Sequence, residues 1–397
     1  MEYVFDKLRT ANADGDERLA LRVGLVGAGM MGMTHSLAWA SVGSLYWPQD
    51  APVVKHRLAD ATAELASRGA RQLGWNEATD NWRDVTQADD IDIVDVVVPN
   101  DLHYDVVMDA LSHGKHVICE KPLAIDVGQA REMYAEAERA GVVHQIGFVY
   151  RSYPTIALAG ALVQRGDIGE VRYFRGEWLS DWATDPSTPY TWRFSRKDAG
   201  AGVLADTGSH IVDLARFVVG DEIARVFARS RTFVTERPIA GEPTRTGTVD
   251  TDDLTDMLFE FDNGALASVC LSRTYPGHNT DMRFEVVGSR GSIEFSWLHP
   301  GELKFFSMDD DEETRGVRTI LTAKNHPNAE AFWGRGTVIG YSDAFVIQCH
   351  RFLQATEREV AGRATFLDGM RNAEVLDAAL TASSAEAWVD VRRAPRA

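Results

Sequence analysis

The sequence runs to 397 residues, room for roughly two to three domains at ~150 residues each, and its 45% hydrophobic and 25% charged residues are ordinary globular values. Its formal net charge is −18, from 41 Lys and Arg against 59 Asp and Glu, and so acidic a surface repels phosphate backbones and anionic lipids, which argues against nucleic acid and membrane partners. Cys119, Cys270 and Cys349 stand far apart in no paired motif, which excludes a disulfide framework and a zinc site and points to a reducing, cytoplasmic compartment.

Residues 1–20 are polar, with Asp14, Gly15, Asp16, Glu17 and Arg18 in a row. They lack the apolar run of a signal peptide and read as an extension or oligomer arm. From Leu21 the pattern changes. Leu21 to Val26 reads as a buried strand, Met30 to Val42 as a helix, Val54 to Ala59 as a strand and Ala63 to Leu73 as a helix. Ile91 to Val98 is almost wholly apolar and β-branched, as a strand buried on both faces should be. A helix over Tyr104 to Ser112, a strand Lys115 to Cys119, a helix Val127 to Ala140 and a strand Val142 to Val149 complete an alternating pattern. It predicts a doubly wound, parallel α/β unit.

Beyond Tyr150 the rhythm differs. After a helix over Thr155 to Arg165, many short runs alternate apolar and polar residues, with turns at Asp262-Asn263-Gly264 and Gly288 to Gly291. They predict a mostly antiparallel sheet with one face on helices and the other in need of cover, which a second subunit supplies most simply. Helices over Ser342 to Thr356 and Leu367 to Ala387 close the pattern.

Gly27-Ala28-Gly29-Met30-Met31-Gly32 has the G-x-G-x-x-G spacing between the first strand and the first helix, where it indicates a dinucleotide loop rather than a structural turn. Gly27 allows the tight turn, Gly29 the approach of pyrophosphate and Gly32 close packing, while the helix N-terminus receives the phosphates. Asp60 ends the second strand, 28 residues beyond Gly32 rather than the usual ~20. The segment Gly43 to Pro52 accounts for the excess. A carboxylate there binds ribose hydroxyls and repels a 2′-phosphate, favouring NAD over NADP; the alternative is that Asp60 only caps the next helix.

Asn100 and His103 follow Val98-Pro99, and Glu120-Lys121-Pro122 follows the next strand, both at strand ends where ligands of such sheets sit. Taken alone, Lys121 also reads as a solvated lysine. Asp206 and His210, four apart, share one face of a helical turn. Histidine suits the removal of a hydroxyl proton, with Asp206 orienting its ring and Lys121 stabilising a developing alkoxide. The competing reading of Asp206 and His210 is a surface pair or helix cap.

Together, Gly27 to Gly32, Glu120-Lys121-Pro122, and Asp206 with His210 resemble the glucose–fructose oxidoreductase, inositol dehydrogenase and rhizopine catabolism family, from about Leu21 onward. The resemblance implies three parts: the extension at 1–20, a Rossmann NAD-binding domain at 21–150, and a substrate-binding and oligomerisation α/β domain at 151–397. It also implies a Lys121, Asp206 and His210 catalytic set, and Pro99, Asn100, His103 and Glu120 around the nicotinamide. Dimers or tetramers are expected. Tyr46-Trp47-Pro48, Asp181 to Pro186, Trp192-Arg193-Phe194 and Ile339-Gly340-Tyr341 are similar to the branch that oxidises pyranosides at C3. Tyr150, Arg151, Asp181, Trp182, Trp192, Arg193 and Trp333 are the candidates for the sugar pocket, with Trp192 and Arg193 also candidates for the cofactor. Where relatives often carry Asn before a Tyr-Arg pair, this chain has Val149, which bears on the substrate and not on the hydride chemistry. Cyclitol oxidation, glycoside cleavage by transient oxidation on tightly held NAD, and a non-catalytic sugar-responsive regulator are the other readings; Lys121, Asp206 and His210 all being present argues against the last.

Overall fold

The computed structural model describes residues 20–47, 52–332, 334–356, 358, 360 and 362–396. Trp333, Pro48 and all but Ala20 of the N-terminal extension lie outside the described residues.

Six parallel strands form the first sheet: β1 (Leu21–Val26), β2 (Val53–Ala59), β3 (Glu77–Thr79), β4 (Ile93–Val96), β5 (His116–Cys119) and β6 (His144–Ile146), in the order β3-β2-β1-β4-β5-β6. All four residues of β4 are buried, because helices cover both faces. The connecting helices are α1 (Met30–Leu45), α2 (Ala63–Leu73), α3 (His103–Ser112) and α4 (Val127–Ala140). Local chemistry sets their ends. Thr62 accepts the Leu65 N–H and Asp126 the Gln129 N–H at the starts of α2 and α4, while Gly74 and Gly141 stop them in the left-handed conformation. Strand order reverses between β1 and β4, so the crevice for ligands opens over their carboxyl ends. Two details differ from expectation. Helix α1 runs three residues past Val42, and the short edge strand β3, exposed and without an apolar run, carried no sequence signal.

After α5 (Pro154–Gln164), a nine-stranded sheet comprises β7 (Val171–Leu179), β8 (Ile223–Arg231), β11 (Leu254–Phe261), β12 (Leu266–Ser272), β13 (Asp281–Gly288), β14 (Gly291–Ser296), β15 (Glu302–Ser307), β16 (Arg318–Leu321) and β17 (Val389–Asp390). Its order is β16-β15-β14-β13-β7-β12-β11-β8-β17. Only the central β7–β12 pair is parallel. Burial alternates along the strands, and Phe174, Phe259, Phe284 and Phe295 fill the inner face. Helix α6 (Ser209–Val219) crosses that face. A separate hairpin, β9 (Glu236–Ile239) with β10 (Glu242–Thr248), leans on Tyr190.

Two late helices tie the halves together. Helix α7 (Tyr341–Ala355) packs on α1, and α8 (Phe366–Ala385) packs on α4, β6, α6 and β8. Phe366 and Met370 share one buried apolar cluster with Met133, Tyr134 and Ile146 of the first half. Arg131 of α4 pairs with Glu374 of α8 at 3.1 Å, and Asn372 donates to the Ser209 carbonyl at 2.7 Å. No described helix is long and apolar enough to cross a membrane.

Candidate active site

A cleft of about 1030 Å³ lies between the two sheets, at the upper end of the ~300–1,000 Å³ of small-ligand sites. Its floor is the glycine loop. Gly27 has φ +108°, and a side chain on it would meet the Val97 carbonyl at 2.8 Å. A Cβ on Gly32 would strike the Gly27 carbonyl at 2.2 Å, so Gly32 is a packing glycine beneath the cleft. Gly29 faces open space, and a Cβ there would have nothing within 4 Å of it. Helix α1 starts at this point without a side-chain cap or an acidic first turn, which leaves its N–H groups and dipole for an anion. The residues therefore fit a dinucleotide.

Asp60 hangs over this loop, accepting the Ala28 N–H at 2.9 Å through Oδ2 and the Ala61 N–H at 2.6 Å through Oδ1. It is not the cap of α2, a role Thr62 takes. Arg68, Trp82 and Asp80 line the same end. Sequence reading missed them, since a helix surface position and a loop tryptophan carry no local signature.

At the far end the cleft meets the second half. Lys121, beyond β5, donates from Nζ to Asp206 Oδ1 at 2.8 Å and to the Asp206 carbonyl at 3.0 Å. Burial opposes the Asp206 charge, but Lys121, Arg193 and His210 outweigh it and hold the carboxyl down at about 2. His210 stacks on Trp178 at 5.5 Å between centroids and meets Tyr150 edge-on at 4.8 Å. Its Nδ1 is buried and has no hydrogen-bond partner among the described residues. Burial and the Lys121 ammonium, against the pull of Asp206, keep the ring well below the ordinary imidazole range. The imidazole is thus neutral near pH 7.

Contrary to the expectation from spacing, Asp206 does not orient His210. Leu204–Gly208 winds as a π-helical turn ahead of α6. The Asp206 carboxylate is committed to an ammonium, a stronger partner than a neutral ring.

Of the other candidates, Met30, Met31, Pro99, Asn100, Glu120, Tyr150, Trp182, Trp192 and Arg193 line the cleft. Asn100 reaches across to the Ala199 carbonyl at 3.4 Å. The Arg193 guanidinium lies 4.4 Å from the Trp192 ring centre. His103 belongs to the cleft wall, with its ring enclosed, Nδ1 2.9 Å from the Pro122 carbonyl and Nε2 3.0 Å from the Val98 carbonyl. Burial holds the imidazole below its ordinary range, so it has one N–H to donate and rests between two strand-end turns. Arg151 is not in the pocket. Its guanidinium is buried beneath the cleft, bonded to Asp213 and Asp368, because a charge with two carboxylates in reach is held inside rather than offered to a ligand. Asp181 also falls outside the lining, whereas Trp178 and Arg273, unforeseen from sequence, and Tyr341, noted there only within a shared segment, are within it. These last three come from distant strands and helices, and only the fold brings them together.

Residues 21–148 match the family described as "Oxidoreductase family, NAD-binding Rossmann fold", and residues 156–294 match the GFO/IDH/MocA C-terminal domain. Levoglucosan dehydrogenase of Pseudarthrobacter phenanthrenivorans is 38% identical over 384 residues, covering 94% of this chain and 98% of that one. The chain belongs to the GFO/IDH/MocA family. It is an NAD-binding oxidoreductase. A solved levoglucosan dehydrogenase in complex with NADH and L-sorbose superposes with a TM-score of 0.90 at 38% identity, over 94% of this chain and all of that one. A more distant GFO/IDH/MocA relative, the scyllo-inositol 2-dehydrogenase (NAD(+)) of Bacillus subtilis, is 31% identical across 59% of this chain and 64% of its own length.

Proposed function

We propose that this enzyme oxidises a secondary hydroxyl, at C3, of a sugar, glycoside or anhydrosugar to the keto-sugar, with NAD rather than NADP as acceptor. The observation that carries the reading is the Lys121–Asp206 pair beside a neutral His210, walled by Trp178, Tyr150 and Trp192. Aromatic faces suit the C–H surfaces of a pyranose, and Lys121 and His210 present a donor and an acceptor to one hydroxyl. The choice of C3 rests on the segments shared with the pyranoside-oxidising branch, and the sugar class is supported by the likeness to levoglucosan dehydrogenase.

NAD, when bound, supplies the acceptor for the hydride. Lys121, held in place by its contact with Asp206, donates to the substrate hydroxyl, polarises it and stabilises negative charge on its oxygen. His210 has a free lone pair throughout the neutral range and takes the hydroxyl proton. Burial by Trp178, Tyr150 and Phe148 keeps water from that ring. At the other end Asp60 offers a carboxylate to the ribose hydroxyls.

The outer face of the large sheet exposes Leu258 and Leu266 near the half-buried Phe227, and this apolar face supports a homodimer or homotetramer. A cytoplasmic location fits the three unpaired cysteines.

The test is NADH formation with NAD and with NADP against levoglucosan, free hexoses, simple glycosides and inositols, with the product's keto position read by NMR. Turnover on a pyranose giving a 3-keto product is expected. Turnover on inositols alone would replace this reading with the cyclitol one, which the scyllo-inositol 2-dehydrogenase relative favours. Release of an aglycone without net NADH would replace it with transient oxidation.

A further inference from the structure

Behind the cleft, on the side away from solvent, sits a group that the chemistry above does not use. His35, on the second turn of α1, is 1% exposed. Its Nδ1 faces both oxygens of Asp95, on β4, at 3.0 Å, and its Nε2 faces Glu120 Oε1, just past β5, at 3.1 Å. Asp95 is itself fully buried and takes a second donor, the Trp39 indole N–H, at 2.7 Å. The other oxygen of Glu120 accepts the backbone N–H of Lys121 at 3.2 Å. A neutral imidazole carries one N–H and cannot donate to two carboxylates at once. With both carboxyls ionised, both contacts are satisfied only by the imidazolium, which also places a positive charge between two negative ones where an unpaired charge is costly.

The contacts form one line. It runs from Trp39 through Asp95, His35 and Glu120 to the Lys121 backbone, and the Lys121 side chain then spans the cleft to Asp206. We infer that His35 is a positioning residue, a buried imidazolium that locks Glu120 and thereby sets where the Lys121 ammonium stands in the cleft. Space around Glu120 is tight, since a Cβ on Gly147 would lie 2.5 Å from its Oε1. The carboxylate is therefore gripped from both sides, by a cation behind and by backbone beside it. Burial works against the charge on His35, yet Asp95 and Glu120 outweigh it and lift the ring to about 10. The other groups packed around this cluster are Phe345, the buried thiols of Cys119 and Cys349, and, facing Glu120, Tyr150, Tyr341 and His103; burial raises both thiols and both phenols and lowers the His103 imidazole, so each of them is held toward its neutral form.

The role of Lys121 in oxidation rests on the reading above, so the test separates the two ideas. Nitrogen NMR of protein carrying ¹⁵N-histidine, with the His35 ring identified by its proximity to the Trp39 indole, reads the charge without substrate or cofactor. Two protonated ring nitrogens at about pH 8, well above the ordinary imidazole value, are expected. A neutral ring there overturns the proposal, whatever the substrate proves to be. In His35→Gln, kcat is expected to fall by about 10- to 100-fold, as for a misplacement near 1 Å arising away from the reacting atoms, while the NADH dissociation constant stays as in the parent. Unchanged kcat, or equal losses in cofactor binding and turnover, also overturns it. Should His35→Gln fail to fold, Asp95→Asn removes one of the two carboxylates that hold the charge. The ring must then lose its second proton at lower pH than in the parent, and an unaltered titration counts against the proposal.

Discussion

Lys121 and Asp206 come from opposite halves of the chain and meet at 2.8 Å, with the ammonium bonded to both the side chain and the carbonyl of the same aspartate. One contact thus joins the turn after β5 to the π-helical turn before α6. It ties the Lys121 side chain to Asp206 and leaves His210 as the proposed base.

Substituting Lys121 by Ala and His210 by Ala should separate their roles. Each is expected to lower kcat by about 10²–10⁴-fold, the usual range for a general acid or base. The loss in His210→Ala should ease as pH rises, because hydroxide can replace the missing base, and that in Lys121→Ala should not. Near-normal turnover of His210→Ala at neutral pH would exchange the two roles.

The acid limb of kcat/KM provides a second check. His210 is held well below 6.5 by burial and Lys121, so the ring stays neutral and competent at pH 6.5 and above. Activity governed by this group should fall only in more acidic buffers. A limb centred above 6.5 in the parent enzyme would contradict the assignment of His210 as base.

Glycines of one loop should fail in different ways. Gly29→Ala places its methyl in open cleft and is expected to leave Tm unchanged while weakening NADH binding. Gly32→Ala drives a methyl into the Gly27 carbonyl and should lower both. Equal behaviour of the two variants in thermal melts and NADH titrations would remove the pyrophosphate from Gly29.

Much of this was legible in the chain. The β1–loop–α1 segment could be read because strand, glycines and helix are contiguous, and burial on both faces of β4 leaves an unmistakable apolar run. Arg151 misled, since an arginine after a cleft tyrosine looks solvent-facing until Asp213 and Asp368 arrive from α6 and α8 to enclose it. His35 was invisible for the same reason. A histidine in a largely apolar helix has no meaning until Asp95 and Glu120 close around it. The β9–β10 hairpin and β16 are mostly exposed and lack apolar alternation, so nothing in their composition announces strand.

Arg151 now belongs to the stability of the protein and not to its pocket. Arg151→Met leaves Asp213 buried without its cation, and breaking such a pair costs about 3–5 kcal/mol. Denaturant unfolding should show this as a lower midpoint, while KM for sugar in the surviving folded enzyme stays near the parent's. A raised KM with unaltered stability would restore Arg151 to the substrate.

His35 adds a pH signature to folding. Its ring rises from 6.5 to about 10 in the native protein, so the folded state holds a proton that the unfolded chain releases. The stabilisation is complete below about 6.5 and is lost as pH climbs through about 10. Unfolding free energies of the parent should therefore fall more steeply across that window than those of His35→Gln.

Helix α8 lends the first sheet Phe366 and Met370, closing an apolar cluster begun by Met133, Tyr134 and Ile146. A ribosome delivers those two side chains long after the six parallel strands have left the exit tunnel. Until then that flank of the first sheet lacks its apolar cover and Arg131 lacks Glu374. A fragment cut near residue 150 inherits the same defect permanently. The first half is thus covered by a helix that the chain supplies only near its end.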